Sequence, residues 1–302
     1  MRSLIFRLFM PLVLVVSTSF VSAGDVMLPG ERVYPGGVAS ARDGTLYVGS
    51  VRDDGSLWRV TAGGNNVEQL PLTLGEVRSL ALDERTQTLW ACAGFAASDN
   101  TSAVLKAVDL RSNKVRSEYV LPDQGHCSDV AIGRDGTLYV VDGANSALLR
   151  MKKGDAAPSL WLANDDASRV QGNWSSVCTD NVGGLFLLSR DRGALSRITV
   201  RWDGSASKPV TIKLDRPLDQ PQAMRLMAKR KLLVTEADGQ LTRVDVLGET
   251  GRIVQMISGI AVPGGLTVVN GSAYVAETQA PGRNVGDRPR SFRLVKVDLP
   301  PL

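Results

Sequence analysis

The chain has 302 residues, 43% of them hydrophobic and 22% charged, a balance that suits one large globular domain or two small ones. With 35 basic against 31 acidic residues the net charge is only +4, too little for the basic stripe of a dedicated nucleic-acid binder. A single histidine, three cysteines and no CxxC pair exclude a polyhistidine metal enzyme and a zinc cluster.

Residues 1–23 read as a signal peptide. Arg2 and Arg7 form a basic start, Leu8 to Val16 an apolar core, and Val21-Ser22-Ala23 a small-residue cleavage site. The apolar run is too short for a transmembrane helix, and no later stretch could span a bilayer. The mature chain, from Gly24, is expected in the periplasm or secreted, without a membrane span. It loses Arg2 and Arg7 and no acid, leaving 33 basic residues against 31 acidic.

From there a repeat runs to the C-terminus. Each copy pairs a short apolar run with a second run centred on an aromatic residue. The copies are Gly37-Val38-Ala39 with Leu46-Tyr47-Val48, Leu80-Ala81-Leu82 with Leu89-Trp90-Ala91, and Val130-Ala131-Ile132 with Leu138-Tyr139-Val140. They continue with Ser176-Val177-Cys178 and Leu185-Phe186-Leu187, Met224-Arg225-Leu226 and Leu232-Leu233-Val234, then Leu266-Thr267-Val268 and Ala273-Tyr274-Val275. The marker position runs Tyr47, Trp90, Tyr139, Phe186, Leu233, Tyr274, in steps of 43, 49, 47, 47 and 41 residues. A third run in each copy carries one basic residue: Arg59, Lys106, Arg150, Arg197, Arg243 and Lys296. Its recurrence assigns it to the repeat, as a long stem covering apolar surface with its head in solvent. The Asp-Gly pairs at 43, 135 and 238 are tight-turn signals between strands.

Short strands repeated at this period predict an all-β fold, a six-bladed β-propeller spanning 24–302 as one domain. The N-terminal segment, residues 25–33, is expected to add the outer strand of the last blade and close the ring, leaving no open edge.

In such a ring the starts of the inner strands and the ends of the second strands share one face. Two rings of residues should therefore line one mouth of the channel. The first includes Arg78, Ser128, Ser175 and Gln222, and the second Asp142, Glu236 and Glu277. His126 and Asp129 flank Ser128. The expected ligand-binding residues are Arg78, Ser128, Asp129, Ser175 and Gln222. The expected catalytic residues are Asp142, Glu236, Glu277 and His126, one carboxylate serving as general base. Asp129, Asp142, Glu236 and Glu277 are also candidate ligands for a divalent cation, calcium or zinc. Against this, acids at strand ends commonly cap turns or pair with nearby basic groups.

Cys92 ends a second strand and Cys127 begins an inner strand in the next copy, on the same face, so a Cys92–Cys127 disulfide is expected in an oxidising compartment. Cys178 falls at the position of Ala39, Ala81 and Ala131 and should be a small buried thiol.

The segments Tyr34-Pro35-Gly36-Gly37-Val38 with Asp43-Gly44-Thr45-Leu46-Tyr47-Val48-Gly49-Ser50, and Ser128-Asp129-Val130-Ala131 with Asp135-Gly136-Thr137-Leu138-Tyr139-Val140, resemble SMP-30/gluconolactonase-like propellers. The resemblance implies a calcium- or zinc-dependent hydrolase of lactones or small esters. It places the metal on a Glu opening the first blade and on Asn or Asp at later inner-strand starts. Here those places hold Pro35 or Gly36, then Ser128, Ser175, Gln222 and Gly264, so most of that shell is missing. Two expectations follow: a hydrolase with a displaced site, or a non-catalytic propeller that binds a small ligand or a protein partner at its mouth.

Overall fold

The computed structural model describes residues 24–30, 33–52, 55–94, 104–163, 173–180, 182–279 and 291–301; the expected leader lies outside the described residues. Among the described residues, runs rich in Val, Leu and Tyr, punctuated by tight turns, give 24 β-strands and one short 3-10 turn, Pro122–Gln124. At the Asp-Gly turns Gly44 and Gly136 hold φ of 93° and 84°, values that favour glycine.

The strands fall into four four-stranded sheets and one of eight. The larger sheet is two four-stranded units whose outer strands, Val210–Leu214 and Thr250–Ile257, pair in parallel over Lys213–Leu214 and Thr250–Gly251. Most units are antiparallel meanders in chain order. The first comprises Pro35–Ser40, Leu46–Ser50, Ser56–Val60 and Val67–Thr73. The last lacks a C-terminal outer strand, and Val26–Met27 fills that edge, pairing with Arg293 and Leu294 of the strand Arg293–Asp298.

The register follows the repeat. The markers Tyr47, Trp90, Tyr139, Phe186, Leu233 and Tyr274 lie opposite Ala39, Ala81, Ala131, Cys178, Arg225 and Thr267 on the inner strands. Five basic residues stand across from their marker on the third strand: Arg59, Arg150, Arg197, Arg243 and Lys296. The second unit departs by one residue. There Trp90 faces Ala107, and Lys106 lies opposite Ala91, so its side chain takes the other face. Several of these heads end on acids rather than in water alone, Arg59 on Glu68 and Arg197 on Asp180. Arg150 and Arg197 also stack over the Trp161 and Phe186 rings.

The core lies between neighbouring sheets. One cluster joins Trp90, Cys92 and Leu105 of the second unit to Val130, Val140 and Leu149 of the third. Another joins the first and last units through Val38, Val48, Trp58, Phe292 and Leu294. The inner strands touch one another in chain order, and Pro263–Val269 returns to touch Pro35–Ser40. At that contact a Cβ on Gly265 would stand 2.4 Å from the Gly36 carbonyl oxygen, so only glycine fits.

Candidate functional site

Where the inner strands begin, a cavity of ≈ 760 Å³ opens among Arg78, His126, Ser128, Ser175, Arg190 and Gln222, among others. Four inner strands start with an irregular step. The register shifts between Pro35 and Val38, Cys127 and Asp129, Trp174 and Ser176, and Pro263 and Leu266. A bulge places an extra residue out of the ladder and re-aims it. In the third and fourth units that residue is Ser128 and Ser175, and both line the cavity. Of the expected ligand-binding residues, Arg78, Ser128, Asp129, Ser175 and Gln222 all reach this cavity, as does His126.

The expected acids do not gather there. Asp142, Glu236 and Glu277 are buried and lie behind the cavity wall, each with its own partners. Asp142 accepts from the backbone N–H groups of His126 (2.8 Å), Ala144 (3.1 Å) and Asn145 (3.2 Å), and from the Asn145 side chain (2.8 Å). Glu236 takes a two-pronged contact from Arg216 (2.8 and 2.9 Å), the Asp219 N–H (2.6 Å) and the Thr242 hydroxyl. Burial pushes the Glu236 carboxyl up, but the bonds from Arg216 and Thr242 outweigh it and hold the group below its ordinary range. Glu277 accepts from Arg293 Nε (2.9 Å) and from the Ala261 N–H (2.9 Å). Arg293 also reaches Asp25 at 3.0 Å, fastening the N-terminal strand. A common rule covers all three: the acid ending a second strand accepts an N–H of the loop leading into its own unit's inner strand. This differs from the expectation that they act at the mouth, one of them as general base.

Asp129 lies at the cavity floor, fully engaged. Arg225 grips both its oxygens at 3.1 Å. The hydroxyls of Ser79 and Ser176 donate to one oxygen each, and the Val130 and Val177 N–H groups add bonds of 2.9 and 3.0 Å. Ser79, Asp129 and Ser176 occupy equivalent positions on three adjacent inner strands, and Arg225 reaches up from the next. The network thus ties four units together across the channel. It separates the mouth from a smaller cavity of ≈ 240 Å³ at the far ends of the inner strands, which Arg225 also lines.

A calcium or zinc ion needs several deprotonated oxygens or nitrogens converging on one point. Among the described residues no three His, Cys, Asp or Glu side chains are grouped to hold a metal. The lone pairs of Asp129, Asp142, Glu236 and Glu277 face arginines, hydroxyls and backbone N–H groups. These residues do not fit a divalent cation, and the expected metal set is corrected accordingly.

What faces the cavity is basic and polar. His126 sits in the wall, and its imidazole is held below its ordinary protonation range, first by burial and then by the positive charge of Arg78, with Arg190 adding to the effect and Asp142 opposing it. Arg78 pairs with Glu76 at 3.1 Å. Asp191 accepts from the Asn173 N–H (2.9 Å) and the Ser189 hydroxyl (2.7 Å). Trp174 lines the same cavity, and its indole N–H is a buried donor with no hydrogen-bond partner among the described residues. Cys92 and Cys127 are joined by a disulfide with Cα atoms 5.1 Å apart, which anchors the residue next to His126. Cys178 is free and buried, its thiol pushed up to about 12 by burial, which keeps it unreactive.

The arrangement has counterparts among solved structures. A gluconolactonase from Xanthomonas campestris superposes with a TM-score of 0.65 over 92% of this chain and 96% of its own, at 11% identity. Virginiamycin B lyase from Staphylococcus aureus superposes at 0.58 over 84% of this chain and 96% of its own, at 16% identity. The fold is a β-propeller. A structure of a nidogen/laminin complex also matches, at 0.57 and 16% identity, over 78% of this chain and 82% of its own. No protein-family model matches the sequence, and no curated protein matches it. At these identities the likeness to gluconolactonase-like propellers is one of fold, and chemistry must be argued from the site.

Arg190 and Arg225 were not singled out by the sequence reading. Arg225 had a signal. It fills the position that holds Ala39, Ala81, Ala131 and Cys178 in other copies, and an arginine among small residues marks a charge inside the channel. Arg190 had none beyond following Ser189 at the end of a second strand.

Proposed function

We propose that the chain is an exported six-bladed propeller of the lactonase type, closed by its N-terminal strand, that takes a small polar molecule at the channel mouth without a divalent metal. The six four-stranded units, the return contact of the last inner strand on the first, and the Asp25–Arg293–Glu277 tie support the closed ring. Export rests on the leader alone. The observation that carries the functional reading is the mouth itself: a polar cavity with two bulged serines, His126 and two arginines, over a floor sealed by Asp129 and Arg225. Concave polar sites of this size suit small molecules. The test is a thermal-melt screen of small polar compounds against residues 24–302 and against the variant Ser175→Trp, which fills the cavity. A ligand of the mouth raises the melting temperature of the first protein alone. Equal stabilisation of both places binding elsewhere and overturns the reading.

Hydrolysis of a lactone or small ester is the second reading, favoured by one observation. His126 lines the cavity, and burial, with Arg78 nearby, holds its imidazole below its ordinary protonation range. It can take a proton from water as that water attacks the carbonyl carbon, then return it to the alkoxide as the C–O bond breaks. Turnover of a lactone or ester panel that disappears in His126→Gln selects this reading, and turnover unaffected by the change refutes it.

A further inference from the structure

We propose that the end of the channel opposite the mouth docks on an anionic lipid bilayer, with Trp202 as its main anchor. The inner strands start at the mouth and successive strands alternate in direction. The turns joining inner to second strands, and third to outer strands, therefore all lie at the other end. Three of those turns carry large apolar side chains in solvent. Val182 and Trp202 in the fourth unit and Leu247 in the fifth are 73%, 99% and 76% exposed. The chain has five tryptophans, and the other four pack into the apolar clusters between sheets.

Trp202 is held out by a braced hairpin. Val200 bridges to Ala206, the Arg201 N–H donates to the Ser205 carbonyl (2.8 Å), and the Gly204 N–H donates to the Arg201 carbonyl (2.8 Å). From the third unit, the Trp161 indole (2.9 Å) and the Arg150 guanidinium both donate to the Gly204 carbonyl. An indole fixed in water leaves its apolar surface available for burial against another phase. The Val182 turn belongs to the same frame, since the Val200 N–H donates to the Gly183 carbonyl (3.0 Å). In the fifth unit the Val246 N–H donates to the Arg230 carbonyl (2.9 Å), which sets Leu247 beside a basic turn.

The charge around these tips selects the partner. Lys152, Lys153, Arg201, Lys208, Lys229 and Arg230 are all exposed on the same turns, against the acids Asp155, Asp203 and Glu249. Asp155 and Asp203 already accept from the backbone N–H groups of Lys152 (2.7 Å) and Ser205 (2.8 Å). The adjoining Arg134-Asp135 turn adds one charge of each sign. The Lys152 ammonium stands 3.7 Å from where a Cβ on Gly204 would lie, so a basic head borders the Trp202 hairpin itself. Indole rings settle at the headgroup level of a bilayer, and lysines and arginines beside them gain from anionic phosphates. Separate apolar tips ringed by basic heads at one end of the fold match a flat anionic surface. The contact is peripheral, and it leaves the mouth facing away from the bilayer.

The experiment sediments residues 24–302 with vesicles of phosphatidylcholine alone and with vesicles of equal parts phosphatidylcholine and phosphatidylglycerol. Binding to the anionic vesicles alone is expected, weakening as salt is added. Tryptophan emission should shift to the blue on binding and be quenched by brominated lipid, and both changes should vanish in Trp202→Ser. That variant should bind roughly tenfold or more weakly, the scale of one large apolar side chain left unburied. Lys152→Gln with Lys153→Gln should also weaken binding by roughly tenfold or more. Melting temperatures should stay at the wild-type value, because each changed side chain is exposed. Absence of binding to anionic vesicles, equal binding to both vesicles, or binding unchanged in Trp202→Ser overturns the proposal. Self-association in solution that Trp202→Ser abolishes, without vesicle binding, assigns the tip to a protein contact and overturns it as well.

Discussion

Replacing Arg225 with methionine isolates the ion pair that seals the channel. Asp129 is buried, and the Arg225 side chain is only 19% exposed. Removing the guanidinium strips two bonds of 3.1 Å from the carboxylate and leaves a buried charge without its counter-ion. Losing one partner of a buried pair costs about 3–5 kcal/mol. At roughly 2–4 °C per kcal/mol for a domain of this size, the melting temperature should fall by about 10 °C. Urea unfolding followed by tryptophan fluorescence, together with calorimetry, measures both quantities. The double variant Asp129→Asn with Arg225→Met should recover at least half of the loss. The asparagine oxygen can still accept from Ser176 and Val177, its amide nitrogen can donate to the Ser79 hydroxyl, and no charge remains unpaired. The reasoning is refuted by a single variant within about 1 kcal/mol of the wild type, well below the cost of an orphaned buried charge. It is equally refuted by a double variant less stable than the single one.

Deleting residues 24–30 removes Asp25, its ion pair with Arg293 and the edge strand Val26–Met27. A loss of about 3 kcal/mol or more is expected in calorimetry, and an unchanged melting temperature would show that the strand is dispensable. Replacing both Cys92 and Cys127 with serine opens a loop spanning 35 residues and should cost roughly 4 kcal/mol on the chain-entropy account, read as a shift in the urea midpoint. His126 is protonated less readily in the folded chain than in the unfolded one. Its contribution is therefore intact above the unfolded value near 6.5 and lost as pH falls through the lower folded value. Stability measured downward from pH 7 should decline in the wild type, and His126→Gln should lack that part of the decline.

Local rules made the strands legible, and long-range pairing hid the role of Asp129. A period-two pattern and a marker every 41–49 residues fixed strand order and register, because one residue of slip exchanges the two faces of a strand. Lys106 shows the limit: the third run of the second copy is offset by one, and only Trp90 facing Ala107 reveals it. Asp142, Glu236 and Glu277 recur at the ends of second strands, the same kind of recurrence that assigns the third-strand basic residues to the repeat, yet they are read from the sequence as catalytic groups. Their partners lie 16 to 20 residues away, His126 for Asp142, Arg216 for Glu236 and Arg293 for Glu277, at spacings a strand-period pattern does not mark. Asp129 looked like a ligand until Arg225, 96 residues later, was seen to hold it.

The most direct measurement is calorimetric titration of calcium, then of zinc, into EDTA-treated residues 24–302. With Asp129, Asp142, Glu236 and Glu277 committed to arginines, hydroxyls and backbone N–H groups, neither ion should bind with stoichiometry near one. Uptake of one ion per chain, lost in Asp142→Asn or Glu277→Gln, would contradict the account and restore a metal centre at the mouth.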